Sequence, residues 1–490
     1  MEKFSYHIFM FPFRWRIQGY EDKTFSEQIS LNNILYSSSS NWTRQVTTDV
    51  ESENDDLYNE RNYFYEFVHD ALYDKGSDRS LVRHFERNEP KHSNVSYVIN
   101  CSQKVYELKV EAINLNLYSS GVGVLSFYLV NDKYPEPVDV LRINQVGRRI
   151  APPFIDSVKH RGIIANSIEI VGLQGCESGY YEDFNRYTNQ TGSNEPASFV
   201  TALIREVAQN IRLKPVVDDR MFVHCWYGND EWADELSGER YEQFVLGSSW
   251  YEYVFVDEMN ECSCRNDKMH QALIEQATYS RWQQYKSLYG ISRYSLVYLT
   301  NVSVWDVLLR NFITMYARIS ELILVQKASV LQFSSEVKDI SNMEVKSGFG
   351  DKVSSLYKEY IRFINQIHFR EISAQDQGIE LYEMLYKTMG LERQVEKLDA
   401  EIGELYNYVT LREDRKGNHT MSQLTWIATI AVPITAVAGI FGMNNVAFTG
   451  DSEGQLVNWY NFALPQFVVM LLVTLIVFIG IFLIKNKRIR

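Results

Sequence analysis

The sequence predicts a mixed α/β domain over residues 1–300, long helices forming a stalk over 301–420, and two C-terminal membrane-crossing helices. Three observations predict this. Two uncharged apolar stretches, 424–443 and 462–484, close the chain. Each is about 20 residues, the length an α-helix needs to cross ~30 Å of hydrocarbon. Just before them, Leu391, Val395, Leu398, Ile402, Leu405 and Val409 recur in steps of four and three, a heptad seam. Earlier in the chain, runs rich in β-branched and aromatic residues alternate with short helical patterns.

The start, Tyr6 to Trp15, is aromatic and extended in character. Residues 37–62 hold four serines and then an acidic run through Glu51, Glu53, Asp55 and Asp56, which reads as a surface loop. Two β-type runs lie within 105–130, split by Ser119-Ser120-Gly121, which suits a hairpin turn. Further strands are expected at 221–226 and 250–256, and a helix at 198–211. After Leu299, apolar residues from Trp305 to Ile323 take helical spacing. A second helical tract follows Gly350, with Val353, Leu356, Tyr360, Phe363, Ile364 and Ile367 on one face. The heptad helix then leads into a charged segment, 411–423, where Gly417 is expected to weaken it locally. The predicted membrane part comprises a first span at 421–444, a loop at 445–461, a second span at 462–484 and a basic tail at 485–490.

The tail has four basic residues and no acid, whereas the loop has Asp451, Glu453 and no base. The positive-inside bias therefore sets the tail in the cytoplasm, and two spans return the N-terminal domain to the same side. The expected location is the inner (cytoplasmic) membrane, multi-pass, with both termini cytoplasmic. Residues 1–17 have no sustained apolar core before a cleavage site, so no signal peptide is expected. Five cysteines, an odd number, fit a reduced compartment better than a disulfide framework. The formal charge is −13. The last 70 residues carry four bases and two acids, which leaves −15 for residues 1–420. Such a domain is a poor match for nucleic acid, whose phosphates need a basic surface, and no direct DNA or RNA binding is expected.

Taken as a helix, the first span lines up Met421, Leu424, Ala428, Val432, Thr435 and Gly439 on one stripe. Facing lipid, this is an ordinary membrane surface. Facing copies of itself, it lines a narrow pore with apolar constrictions at Met421 and Leu424, which gate by dewetting. The string from Ile427 to Asn444, IATIAVPITAVAGIFGMN, resembles the signature region of the CorA-type divalent cation (Mg²⁺/Zn²⁺) channel superfamily. Gly442-Met443-Asn444 closes the first of two C-terminal spans, with Pro433, Thr435, Ala438 and Gly439 in step. The resemblance covers about the last 100 residues and implies a CorA-like funnel, a homopentamer in the lipid bilayer. It implies a selectivity region of Gly442, Met443, Asn444 and Thr435, and a gate of Met421, Leu424, Ala428 and Val432. The transported ion it implies is Mg²⁺ or another divalent cation, and no enzyme activity. After Asn444 this chain departs from the family's aromatic and Met-Pro-Glu-Leu-like loop, reading Asn445-Val446-Ala447-Phe448-Thr449-Gly450.

Two further stretches, NLYSSGVGVLSFYLVND (116–132) and YGISRYSLVYLT (289–300), resemble CorA-like membrane effectors encoded beside type III CRISPR systems. This second resemblance implies opening by a nucleotide second messenger bound to the cytoplasmic domain, with ion leak or membrane disruption in antiviral defence.

The remaining constellations have bland alternatives. Cys262-x-Cys264, with His270, Cys225 and His224 elsewhere, is a candidate zinc set, but zinc sites usually carry two tight Cys pairs and ordinary thiols are the commoner case. Gly121-Val122-Gly123 lacks the third glycine of a phosphate loop and fits a hairpin bulge better. Arg148 and Arg149, after Gly147, and Arg293 are candidate ligands for a phosphate or carboxylate, although surface arginines more often sit in solvated turns. The 32 tyrosines can stack on a base but more often fill a core. The acids from Glu392 to Glu404 fit a solvated coiled-coil face better than a divalent-ion sensor. No Walker A pattern occurs, no His-Glu-x-x-His or Gly-x-Ser-x-Gly stands in a plausible catalytic setting, and His69-Asp70 has no second dyad beside it.

Overall fold

The computed structural model describes residues 3–20, 23–31, 41–47, 55–77, 80–151, 165–175, 179–184, 196–208, 210–260, 262–303, 306–344, 348–442, 468–469, 472 and 475. Their strands form one sheet of 13. In chain order these are β1 (Ser5–Ile17), β2 (Trp42–Arg44), β3 (Val82–Arg87), β4 (Ser96–Asn100), β5 (Val105–Tyr118), β6 (Val122–Asn131) and β7 (Ser167–Val171). They continue with β8 (Tyr180–Asp183), β9 (Ile211–Pro215), β10 (Phe222–Gly228), β11 (Thr278–Tyr279), β12 (Leu288–Ile291) and β13 (Ser295–Thr300). The main path runs β11-β12-β13-β10-β1-β6-β5-β4-β7-β8, with β2 joined to β3, β3 to β5, and β9 to β1. All pairs are antiparallel except β10 with β13.

β1 is the axis of this sheet. It pairs with β6 along nearly its whole length, and on its other edge with β10 as far as Met10 and with β9 from Phe13. Pro12 falls at the change of partner, where its missing N–H interrupts neither ladder. The aromatic start of the chain is buried throughout, as residues flanked on both edges and both faces must be. The hairpin at 119–121 forms as the spacing predicts, with Gly121 at φ +80° beneath the ring of Phe25. The irregularity in the β5–β6 ladder lies at Val110/Ala112, away from the glycines.

The helices used below are α1 (Pro137–Gly147), α2 (Ser248–Phe255), α3 (Asp267–Ala277), α4 (Ala317–Ser341), α5 (Phe349–Gln366), α6 (Asp376–Thr388) and α7 (Leu391–Gly442). α4 packs across β1 and β6 and against α5 and α6. The strand expected at 250–256 is instead α2. Helical spacing buries Trp250, Tyr251, Tyr253 and Val254 together, whereas alternation would expose half of them. The helix expected over 198–211 stops at Val207, and Ile211 opens β9. The surface loop expected at 37–62 holds β2 and a helix at Asp55–Tyr63 among its described residues. Across 411–423 α7 continues through Gly417 without a break. By contacts the chain falls into two units, Met1–Glu404 and Leu405–Arg490.

One buried carboxylate is expected to make the stability of this fold depend on pH. Glu359 on α5 accepts the Phe25 N–H at 2.8 Å. Burial first, and then the neighbouring Glu336, push its carboxyl up to about 7. A raised carboxyl binds its proton more tightly in the folded chain, so its stabilisation is present at low pH and is lost as pH rises from the unfolded value through about 7. Glu359→Gln should flatten the fall in thermal stability between about pH 4.5 and 7 and stabilise the protein above pH 7 by roughly 1–3 kcal/mol. Melting curves across that range test this, and a variant with the wild-type pH profile would contradict it.

Candidate ligand cleft and pore helix

A cleft of about 1100 Å³ opens within the first unit. Its basic wall comes from three separate loops. α1 ends at Gly147, and Arg148 and Arg149 follow at once. Arg149 bridges to Arg220, and the Arg148 carbonyl accepts the Met221 N–H at 2.9 Å, which fixes this turn to the start of β10. Arg293 and Tyr294 come from the β12–β13 hairpin, anchored where the Tyr294 carbonyl accepts the Val223 N–H at 2.9 Å. Ser292 and Ser295 both donate to the Val254 carbonyl. All three arginines singled out in the sequence thus line one cleft, joined by Arg220, which lacks any sequence signal. The solvated-turn alternative fails for Arg148, which is only 2% exposed. Arg293 is exposed and Arg149 is half-buried.

The charges on this wall are unevenly balanced. Arg220 is paired with Asp218 at 2.9 Å and Asp219 at 3.4 Å. The guanidiniums of Arg148 and Arg220 lie over the Tyr294 ring, 5.5 and 5.2 Å from its centroid. Arg148 and Arg149 have no carboxylate at ion-pairing distance among the described residues, and their buried Nε atoms have no hydrogen-bond partner there. Burial, then the like charges of Arg220 and Arg149, push Arg148 down to about 9. Arg149 is lowered by burial and then by the like charge of Arg220. Asp219 is pushed up to about 6 by burial and by Asp218.

The other walls come from the end of α2, from α3 and from α6, and include Asp257, Glu380 and Glu383. Glu380 is engaged by Arg281 and Tyr279. At the end of α2, Val256 adopts φ +58°, a left-handed conformation rare for a β-branched residue and one that strained sites tolerate. α6 packs on β12, and the Arg293 Nε donates to the carbonyl of Thr388, its last residue, at 3.3 Å.

The candidate zinc set does not assemble. Cys262 Sγ lies 3.6 Å from His270 Nδ1. Cys225 and His224 lie buried in β10, their side chains taken up by Tyr253 and by Ser320 and the Phe312 carbonyl. Among the described residues no group of three or more His, Cys, Asp or Glu side chains is placed to hold a metal. Many of the described tyrosines fill the core, for example Tyr289 stacked on Tyr298 at 4.1 Å.

The other candidate site lies on α7. Its seam is buried at Leu391, Leu398, Ile402 and Val409 and half-buried at Val395 and Leu405, while Glu392, Glu396 and Glu404 are exposed. Further along, Met421 (64% exposed), Leu424 (55%) and Val432 (64%) are exposed apolar residues. At 100° per residue the stripe from Met421 to Gly439 spans an arc of about 80°. The Thr435 hydroxyl donates back to the Ala431 and Val432 carbonyls at 2.9 and 3.0 Å, which leaves its lone pairs as acceptors. Gly442 ends the helix, and Met443 and Asn444 lie outside the described residues. Among those residues no helix is long and apolar enough to cross a membrane. Side chains beyond Val432 on α7 are described only at Thr435, and the second expected span is described only at 468, 469, 472 and 475.

Residues 337–486 match the model of a family described as CorA-like Mg²⁺ transporter protein. No curated protein matches the chain.

If Cys262 and Cys264 are ordinary thiols, the Cys262→Ser/Cys264→Ser double variant should melt within about 2 °C of the wild type, since surface substitutions away from special features cost little. Chelator treatment should leave both melting points unchanged. A chelator-dependent drop in the wild type alone would restore the zinc reading.

Proposed function

We propose, from the match of residues 337–486 to the CorA-like Mg²⁺ transporter family, that this chain is a homo-oligomeric membrane channel for divalent cations, Mg²⁺ foremost. Proteins of this family are transporters or channels rather than enzymes, and they form homo-oligomers in membranes. In the proposed assembly, five copies of 421–444 line the pore and 462–484 forms an outer ring of helices. The observation that carries this reading is α7 itself, one helix from a largely buried heptad seam to the glycine of Gly442-Met443-Asn444, with Met421, Leu424, Ala428, Val432 and Thr435 among its exposed residues.

The chemistry of that stripe suits Mg²⁺, which dehydrates reluctantly and keeps several waters. A ring of Asn444 amide oxygens hydrogen-bonds those waters without stripping them. Thr435 offers a second ring of lone pairs, and neither ring needs a carboxylate at membrane depth, where it is costly. A divalent ion moving inward gains ~4.6 kcal/mol per 100 mV, so passive flow needs no nucleotide hydrolysis. Met421, Leu424, Ala428 and Val432 form the apolar gate in this proposal, closing by dewetting. A second reading, in which a nucleotide messenger bound by the soluble domain opens the pore in antiviral defence, is favoured by one observation, the arginine-lined cleft.

Flux into proteoliposomes tests the channel. Asn444→Ala should abolish discrimination between Mg²⁺ and monovalent cations while the oligomer still assembles. Unchanged selectivity would remove Asn444 from the pore mouth. Leu424→Ser should raise the resting leak at least tenfold, equivalent to about 1.4 kcal/mol off the closed-state barrier. An unaltered leak would refute that gate.

A further inference from the structure

We propose that the cleft bounded by Arg148, Arg149, Arg220 and Arg293 binds a phosphate-bearing small molecule of two or more negative charges, and that Arg293 carries its arrival to the head of α7. This deepens the second functional reading above, and its binding half stands without any conductance.

The charge bookkeeping of the wall points to an anion. Arg220 has its carboxylates, but Arg148 and Arg149 do not, and both have a buried Nε with no acceptor among the described residues. Arg148 is 2% exposed, so water does little to screen it. Buried cations normally come paired, because an unpaired one is strongly destabilising. A guanidinium is also the side chain whose fork matches phosphate oxygens in pairs. A single carboxylate would leave charge unmatched across three arginines, whereas a phosphate dianion or a diphosphate would match it. The cleft's ~1100 Å³ is at the upper end of small-molecule sites, too large for orthophosphate to fill. Asp257 and Glu383 on the other walls offer acceptors for hydroxyl or amino groups, so an organic phosphate fits the lining better than an inorganic one.

The route outward is short. Arg293 Nε donates to the Thr388 carbonyl at 3.3 Å. The next carbonyl, of Met389, accepts Lys327 Nζ at 2.9 Å, and the same ammonium reaches Gln394 on α7 at 2.7 Å. Gly390, at φ +63°, then makes the turn, and Leu391 opens α7. The three residues between the cleft wall and α7 are therefore held by two cations, one of which faces the cleft. A phosphate that draws Arg293 inward takes the donor from Thr388 and removes positive charge from beside Lys327, whose ammonium is pushed down to about 8 by burial and then by Arg293 and Arg393.

The test uses the full-length protein in nanodiscs, with orthophosphate, pyrophosphate, ATP and adenosine as probes. Thermal shift and isothermal titration should show ATP binding at least tenfold tighter than orthophosphate, with adenosine inert. If pyrophosphate binds as tightly as ATP, the source is inorganic and the organic-phosphate part falls. Arg149→Gln should weaken ATP by at least tenfold. Arg148→Met should melt no lower than the wild type without phosphate, because an unpaired buried charge is removed, and should lose the ATP-induced rise. Arg293→Ala should still bind ATP within a few-fold, but should lose the ligand-induced change in amide exchange at Met389, Gly390 and Leu391. No binding of any phosphate probe at millimolar concentration would overturn the site. A low-melting Arg148→Met that responds to ATP like the wild type would do so too. Unaltered exchange changes in Arg293→Ala would overturn the relay alone.

Discussion

The head of α7 is buried, and everything proposed for this protein depends on that burial. Leu391, Leu398 and Ile402 sit in the apolar interior of the first unit, and Lys327 clamps the turn in front of them. Fully burying a leucine or isoleucine is worth roughly 1.5–3 kcal/mol. Three such residues fix where α7 starts far more firmly than helix propensity does. The helix assignment of α7 is continuous from Leu391 to Gly442.

The sheet serves the same end. β1 is held on both edges, so β10 and the β12–β13 hairpin beyond it are placed with little freedom. That fixes Arg220 and Arg293 relative to Arg148 and Arg149, although more than 140 residues of sequence separate Arg149 from Arg293. The cleft consequently has one wall built on the rigid sheet and another on α6, the helix that leads into α7. A binding site shared between a fixed wall and an element in series with an output helix has the arrangement that lets binding energy bias a two-state element.

How much of this was legible in the sequence follows from how local each signal is. The hairpin at Gly121, β10, the helices after Asp306 and the heptad seam all rest on spacing within about a dozen residues, and all appear as the spacing predicts. The segment 250–256 misled because aromatic and β-branched residues usually mark strands. Here burial on a helical stripe outweighed that preference. Arg148, Arg149 and Arg293 could be named as anion ligands, but their meeting could not, because it depends on β10 lying beside β13. Arg220 went unnoticed since Asp218-Asp219-Arg220 looks like any solvated charge cluster. The Cys262-x-Cys264 pair shows the converse, a local pattern with nothing brought to it by the fold. The two uncharged runs, 424–443 and 462–484, are legible from composition alone, but most of the second lies outside the described residues, and among those no helix is long and apolar enough to cross a membrane.

The central claim is that one face of α7 turns toward a shared aqueous axis between copies of the chain. Single cysteines placed from 421 to 439 in a cysteine-free background, in proteoliposomes, measure it directly by reaction with a membrane-impermeant thiol reagent. The account predicts a helical period, with 424, 428, 432 and 435 reacting and the intervening positions protected, and disulfide-linked dimers forming at the reactive positions. Uniform protection along the segment, with no cross-linking between copies, would contradict it.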